Sequence, residues 1–213
     1  MEDTQQAESR VGNRLVVIGL GLIGASAAKA AKERKLCAEV IGISRRTSTL
    51  EIALANGVID RAESSLSSIS ADLETGDIVL IGVPTLTVSE VLRDCCRLLS
   101  DDVTLTDVAS VKGSVVDSAR TIYGHLPAQF IPGHPIAGSE KSGVHAARAG
   151  LFVDHRVILT PLAETGSEHL ERVRELWEGL GAIVSNMDVD EHDHILAATS
   201  HIPHLLAYSL VNS

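Results

Sequence analysis

The sequence predicts an α/β fold in which helices flank a doubly wound, mainly parallel sheet, followed by the start of an all-helical domain. Short runs of Val, Ile and Leu alternate with stretches of helical periodicity, which is the pattern of successive β-α-β units. In the first unit, residues 14–44, a strand, a glycine-rich turn, a helix and a second strand follow within about 30 residues. The predicted strands are 15–18, 40–43, 77–84, 103–108, 130–132, 156–160 and 182–184, and the predicted helices are 25–34, 50–56, 88–99, 111–123 and 170–180.

The glycine turn after the first strand predicts a nucleotide-binding site of the Rossmann-like type. Gly19, Gly21 and Gly24 have the spacing G-x-G-x-x-G between a strand and a helix. The first glycine permits a tight turn, the second lets the backbone approach a pyrophosphate, and the third allows close packing of helix and strand. The helix N-terminus would offer its N–H groups to the phosphates. A glycine turn without a ligand is the alternative. The expected cofactor contacts are Gly19, Leu20, Gly21, Leu22, Ile23 and Gly24.

The residues after the second strand predict which nicotinamide nucleotide is preferred. NAD-binding domains usually have a carboxylate about 20 residues beyond the glycines, where it binds the ribose 2′-hydroxyl group. Here that place holds Ser44, Arg45 and Arg46. Because a guanidinium group pairs well with a 2′-phosphate, NADP is the expected cofactor and NAD is possible. The alternative is that the arginines are solvated, or that one of them stacks on the adenine of NAD.

Composition and charge limit the classes of function. The 213 residues suffice for one large domain or for one domain plus part of another, and the formal net charge of −10 disfavours nucleic acid or a membrane surface as a partner. Cys37, Cys95 and Cys96 do not have the pattern of a disulfide framework, which favours a reducing, cytoplasmic location. Residues 1–13 predict a flexible polar tail and not a signal peptide. No apolar run is long enough for a membrane span.

Further segments follow predicted strands, so they should face the same crevice as the glycine turn. Val83, Pro84 and Thr85 end one strand and are expected to contact the cofactor. Ser110 and Lys112 follow the next strand. The Ser110 hydroxyl group could cap the following helix, contact a substrate, or do both. A lysine near a helix start opposes the helix dipole, so Lys112 is expected to bind an anion such as the substrate or to form an ion pair.

His134 is the candidate catalytic base. It begins a predicted loop over residues 133–143, which glycine and proline make rigid and which also contains Ser139, a predicted substrate contact. A neutral imidazole can accept a hydroxyl proton while hydride leaves the same carbon. The alternative is a histidine that is only hydrogen-bonded into the loop.

More histidines lie near the end of the chain. Residues 192–194 are His-Asp-His, and His201 and His204 share one helix face. A zinc site would need a third and a fourth ligand, and the cysteines are poorly placed to provide them. We therefore predict no metal, and we expect a polar patch that faces the substrate.

The alternation of strand and helix patterns ends after residue 187. Residues 188–213 have no strand pattern, and Pro203 interrupts their helical stripe. A single amphipathic helix cannot bury its apolar face alone. We therefore expect a nucleotide-binding domain over residues 14–187, with residues 188–213 either opening a helical domain that is truncated here or packing against another chain.

Five segments lie in order between residues 15 and 207: VIGLGLIGAS, DVASVKG, PGHPIAGSEKSGVHAA, HDH and SHIPHLLA. Together, and in this order, they resemble the prephenate and arogenate dehydrogenases, the cyclohexadienyl dehydrogenases of tyrosine synthesis. The combination of GHPIAGSE with SHIPH is specific, whereas G-x-G-x-x-G alone is not. The resemblance implies a Rossmann-like domain followed by a helical domain that forms a homodimer. It also implies oxidation of prephenate to 4-hydroxyphenylpyruvate, with hydride transfer to NAD(P) and loss of carbon dioxide. Arogenate, or both substrates, is the alternative.

The resemblance also implies roles for individual residues. His134 matches the family's catalytic histidine, and Ser110 matches a serine near the substrate hydroxyl group and the nicotinamide. The family's carboxylate-binding arginine and most of its dimerisation helices would lie beyond Ser213, so we expect a fragment that binds cofactor but turns over poorly. The helical-domain motif that lines the substrate site matches Ser200, His201 and His204.

Two other functions stay open on the sequence. A β-hydroxyacid type of dehydrogenase shares the domain plan, but it would be expected to use a helix lysine and would give the GHPIAG loop no role. A nicotinamide-binding sensor without chemistry is compatible with a chain that lacks the family's arginine.

Overall fold

Six parallel strands form the main sheet of the computed structural model, which describes residues 11–197. They are β1 (Gly12–Ile18), β2 (Cys37–Ile43), β3 (Arg61–Glu63), β4 (Ile78–Ile81), β5 (Thr104–Asp107) and β6 (Phe130–Ile131). Their order is β3-β2-β1-β4-β5-β6, and every neighbouring pair is parallel. This order confirms the predicted Rossmann-like fold. Because the order reverses between β1 and β4, their carboxyl ends border the crevice in which such sheets bind ligands.

The helices of the described residues connect or follow these strands. They are α1 (Leu22–Glu33), α2 (Thr47–Ala55), α3 (Thr85–Leu98), α4 (Gly113–Tyr123), α5 (Ser167–Gly179) and α6 (Val189–Leu196). The buried face of α1 consists of glycine, alanine and serine only. Small side chains let this helix lie close to the sheet, and alanine also has the highest helix propensity.

Three strands that follow β6 along the chain form a second sheet. It contains β7 (Gly133–Pro135), β8 (Arg156–Leu159) and β9 (Ile183–Asn186) in that order. β7 pairs antiparallel with β8, and β8 pairs parallel with β9. The sequence predicted a loop from residue 133 and did not predict this division into two sheets. Gly-His-Pro lacks the apolar alternation that marks a strand, so its extended conformation depends on pairing with β8.

Apolar clusters cover both faces of the main sheet. Leu15 and Val17 of β1 pack in one cluster with residues of α1 and α5, whereas Val16 and Ile18 pack in the other with residues of α3 and α4. All four side chains are buried. A parallel strand that is covered on both faces has this continuous apolar character, which explains why its position could be predicted.

The first strand begins before residue 14, since β1 starts at Gly12. The buried carboxylate of Asp77 holds this part of the strand. It accepts hydrogen bonds from the backbone N–H of Arg14 at 2.9 Å and from the guanidinium group of the same residue at 3.0 Å. The part of the predicted tail before residue 11 lies outside the described residues, as does everything after residue 197.

No helix within residues 11–197 is long and apolar enough to cross a membrane.

Replacement of Gly24 by alanine is expected to destabilise the fold. A Cβ atom there would lie 2.2 Å from the carbonyl oxygen of Gly19, so α1 would have to move away from the turn. Overpacking of this kind lowers the free energy of unfolding by about 1–3 kcal/mol, which urea unfolding followed by circular dichroism measures. Gly150→Ala is the control, because its Cβ would meet no atom within 4 Å. Equal losses in the two variants would contradict the steric argument.

Candidate active site

The glycine turn leaves room for a ligand at the start of α1. Gly19 has φ +97°, in the left-handed region that favours glycine, and a Cβ atom there would lie 2.7 Å from the carbonyl oxygen of Gly82 beyond β4. Gly21 faces open space, since a Cβ atom there would meet nothing within 4 Å. It is the N-cap residue of α1, and no side chain caps that helix. The first N–H groups of α1 can therefore hold the phosphates of a dinucleotide.

The other residues of the turn differ in what they can contribute. The Leu20 side chain is buried and packs in the apolar cluster, so only its backbone can contact a ligand. Leu22 and Ile23 are partly buried against the same cluster. The predicted contact of Leu20 is thus limited to its backbone, whereas the side chains of Leu22 and Ile23 keep some exposed surface.

The residues beyond β2 and β4 lie at the ends of strands that flank β1. The side chains of Arg45 and Arg46 are exposed. The Ser44 hydroxyl group accepts a hydrogen bond from the backbone N–H of Arg46 at 3.1 Å, which shapes the turn into α2. On the other side of β1, Val83 and Pro84 lie in the link between β4 and α3, and Thr85 is the first residue of α3.

A buried ion pair lies at the end of β5. The ammonium group of Lys112 donates to the carboxylate of Asp107 at 2.5 Å and to the carbonyl oxygen of Gly133 at 2.7 Å. Both side chains are fully buried. Burial lowers the pKa of Lys112, and the neighbouring carboxylate of Asp107 opposes this effect. Of the two alternatives for Lys112, the structure shows the ion pair, and the burial of Nζ does not fit the predicted direct contact with a substrate.

The start of α4 is capped by a residue that is distant in sequence. The carboxylate of Asp193 accepts hydrogen bonds from the backbone N–H groups of Lys112 and Gly113, both at 2.8 Å. The helix begins at Gly113, two residues later than predicted. Ser110 does not cap it and is exposed in the loop between β5 and α4.

His134 heads a chain of three side chains. Its Nδ1 atom lies 2.9 Å from Nε2 of His192, and Nδ1 of His192 lies 2.8 Å from Oδ1 of Asp193. His192 is fully buried and His134 is almost so. A carboxylate behind an imidazole fixes its orientation and stabilises the imidazolium that forms when it takes a proton. The arrangement can therefore act as a general base.

Other predicted site residues are not part of this cluster. Ser139 is exposed, and its hydroxyl group accepts a hydrogen bond from the backbone N–H of Lys141 at 3.1 Å. Ser200, His201 and His204 lie outside the described residues. In the described part of the chain, no group of three or more His, Cys, Asp or Glu side chains is placed to hold a metal ion.

Sequence reasoning missed the roles of Asp107, His192 and Asp193. Asp107 stands in the segment DVASVKG, and the other two stand in HDH, so each occurred in a segment of unusual polarity. Their functions depend on partners 5, 58 and 80 residues away. The two long separations cannot be inferred from local spacing.

Comparisons with known proteins agree on one family. The family model described as "Prephenate dehydrogenase, nucleotide-binding domain" matches residues 27–186. Cyclohexadienyl dehydrogenase of Zymomonas mobilis is 36% identical over 94% of this chain and 67% of its own length. This chain spans 49–67% of the length of the curated relatives it matches.

Solved structures show the same likeness. Prephenate dehydrogenase from Aquifex aeolicus, in complex with hydroxyphenyl propionate and NAD⁺, is 32% identical with a TM-score of 0.86 over 94% of this chain and 68% of that one. Arogenate dehydrogenase of Synechocystis is 33% identical with a TM-score of 0.81 over 93% of this chain and 68% of that one.

Replacement of Lys112 by methionine is expected to lower the free energy of unfolding by about 3–5 kcal/mol, because it leaves the buried carboxylate of Asp107 without its cation. Lys29→Met is the matched control, since Lys29 also faces a carboxylate, that of Glu33 at 4.0 Å, but at the surface. Loss of such a surface pair costs less than about 1 kcal/mol. Urea unfolding of both variants measures the difference, and similar losses would show that burial of the pair is unimportant.

Proposed function

Since this chain belongs to the prephenate dehydrogenase nucleotide-binding family, we propose that the whole protein oxidises prephenate to 4-hydroxyphenylpyruvate in tyrosine synthesis, with a nicotinamide dinucleotide as hydride acceptor. The observation that supports this most strongly is the position of His134, which stands beyond the end of β6 and is backed by a carboxylate through His192. An imidazole in that position suits the removal of a proton from an alcohol.

In this proposal His134 accepts the proton of the substrate hydroxyl group while hydride leaves the same carbon. The nicotinamide, when bound, supplies the hydride acceptor. The ring carboxylate leaves as carbon dioxide, and its bonding electrons enter the ring as the ring becomes aromatic. His134 can then return its proton to the oxygen of the new phenol, so that the imidazole ends the cycle as it began.

The remaining residues are assigned to binding and positioning. Ser110 is exposed in the loop between β5 and α4 and is proposed to contact the substrate hydroxyl group. Lys112 is proposed to act indirectly, because its ammonium group holds Gly133, the residue before His134. Motif resemblance supports a substrate-lining role for Ser139, Ser200, His201 and His204. The same resemblance supports a homodimer through the helical segment that begins at residue 188.

The cofactor is proposed to lie across the glycine turn and between the two neighbouring strand ends. Open space at Gly21 and the uncapped start of α1 fit its phosphates. The exposed guanidinium groups of Arg45 and Arg46 fit a 2′-phosphate, so we propose NADP as the preferred cofactor. Val83, Pro84 and Thr85 would border its other side.

Arogenate is the second candidate substrate. The likeness to arogenate dehydrogenase of Synechocystis supports it, at an identity similar to that of the Aquifex aeolicus enzyme. The two substrates differ in a keto or amino group on the side chain, remote from the carbon that loses hydride.

Replacement of His134 by asparagine in the intact protein is expected to lower kcat about 10²–10⁴-fold, because the substrate hydroxyl group loses its base. The measurement follows the absorbance of the reduced nicotinamide with prephenate or arogenate as substrate. His125→Asn, which changes an exposed imidazole after α4, should leave kcat unchanged. Near-normal turnover by His134→Asn would contradict the catalytic assignment. Cofactor binding by the wild type without turnover of either substrate would favour the sensor.

Replacement of Arg46 by alanine is expected to lower kcat/KM for NADP by about tenfold or more, because the 2′-phosphate loses a charge-assisted hydrogen bond. The value for NAD should change little. Arg120→Ala removes an equal charge from the exposed face of α4 and serves as the control. A wild-type preference for NAD of about tenfold, equivalent to about 1.4 kcal/mol, would overturn the NADP assignment.

A further inference from the structure

The polar chain behind His134 has a defined direction, which follows from its last member. An ionised carboxylate can only accept hydrogen bonds, so Nδ1 of His192 must donate to Oδ1 of Asp193 across their 2.8 Å contact. A neutral imidazole has one N–H group, so Nε2 of His192 is an acceptor. Nδ1 of His134, 2.9 Å away, must then be the donor. Neutral His134 therefore has its lone pair on Nε2.

The structure favours an ionised Asp193. Desolvation raises the pKa of this carboxyl group, but the hydrogen bonds that it accepts from Lys112, Gly113 and His192 outweigh that effect, so its pKa lies below the ordinary value. The two backbone hydrogen bonds also cap α4. One carboxylate thus fixes both the start of α4 and the proton of His192.

The geometry holds the two rings in a fixed relation. Their planes are inclined by 69° and their centroids lie 5.1 Å apart, an edge-to-face arrangement. His192 has no exposed surface, so water cannot replace its hydrogen bonds. Loss of one bond in the chain would leave a buried polar atom without a partner, which is costly.

We propose that Asp193 and His192 are positioning residues that hold His134 in the Nδ1–H tautomer, so that Nε2 is the atom that accepts the substrate proton. The catalytic part of this inference rests on the proposed function, whereas the tautomer does not. The opposite tautomer has a proton on Nε2 and could not accept another there. When Nε2 takes the substrate proton, the new positive charge is stabilised through the Nδ1–H bond to His192 and onward to Asp193.

Proton-detected ¹H–¹⁵N correlation of the histidine rings in the intact protein tests the tautomer without substrate. The neutral His134 ring is expected as Nδ1–H in the wild type. In Asp193→Asn, the amide can donate to His192, which would reverse both hydrogen bonds and place the His134 proton on Nε2. A carboxylate-to-amide change directly behind a catalytic histidine lowers kcat by about 10⁴-fold. Here the ring of His192 intervenes, and we expect a loss of about 10²–10⁴-fold with little change in KM.

Variants of His192 separate the tautomer from helix capping, because they leave Asp193 at the start of α4. His192→Phe removes the acceptor for Nδ1 of His134 and should lose both the fixed tautomer and most of kcat. In His192→Gln, an amide oxygen can take the place of Nε2, so this variant should recover the Nδ1–H tautomer and part of kcat. Asp190→Asn removes an exposed carboxylate from the same helix and should change neither quantity.

The proposal would be overturned if the wild-type His134 ring carried its proton on Nε2. It would also be overturned if His192 were doubly protonated. An unchanged Nδ1–H tautomer in folded His192→Phe would do the same, even if Asp193→Asn fails to fold. Absence of turnover by the wild type with prephenate and arogenate would instead overturn the proposed function. The tautomer result would still stand, so the two failures can be distinguished.

Discussion

A buried ion pair between Asp107 and Lys112 joins the parts of the molecule on which the candidate site depends. Asp107 ends β5, and Lys112 immediately precedes α4. The carboxylate of Asp107 accepts a hydrogen bond from the N–H of Gly133, and the ammonium group of Lys112 donates one to the carbonyl oxygen of Gly133. Two opposite charges tolerate complete burial only when their remaining hydrogen bonds are also satisfied. This requirement restricts where Gly133 can lie, and it therefore restricts His134, the next residue.

The candidate base, His134, is held from its other side by α6, a helix that belongs to neither sheet. α6 contributes His192 to the ring of His134 and Asp193 to the start of α4. The segment that begins the predicted helical domain thus completes the polar network of the nucleotide-binding domain. Because His134 shares its Nδ1 hydrogen bond with a ring of α6, its ring is oriented only when α6 is in contact with β7.

Prediction from the sequence succeeded where the local pattern has one physical explanation. The strands around β1 are continuous apolar runs because helices cover both faces of the sheet. The glycine spacing located the turn because Gly19 needs a positive φ and Gly24 has no room for a Cβ atom. Prediction failed at β7, whose Gly-His-Pro sequence is extended only through its partner β8. It also did not find the cap of α4, which is a carboxylate 80 residues away and not Ser110, for which capping was one of the possible roles.

The sequence by itself determined most of the strands and helices, the glycine turn and the identity of His134 as a candidate base, because these depend on residues that are neighbours along the chain. Only the tertiary structure decided that Lys112 is an internal ion-pair partner and that His192 and Asp193 stand behind His134. Hydrogen bonds and ion pairs require separations of a few ångströms in space, and the folded backbone alone brings such distant residues within that range.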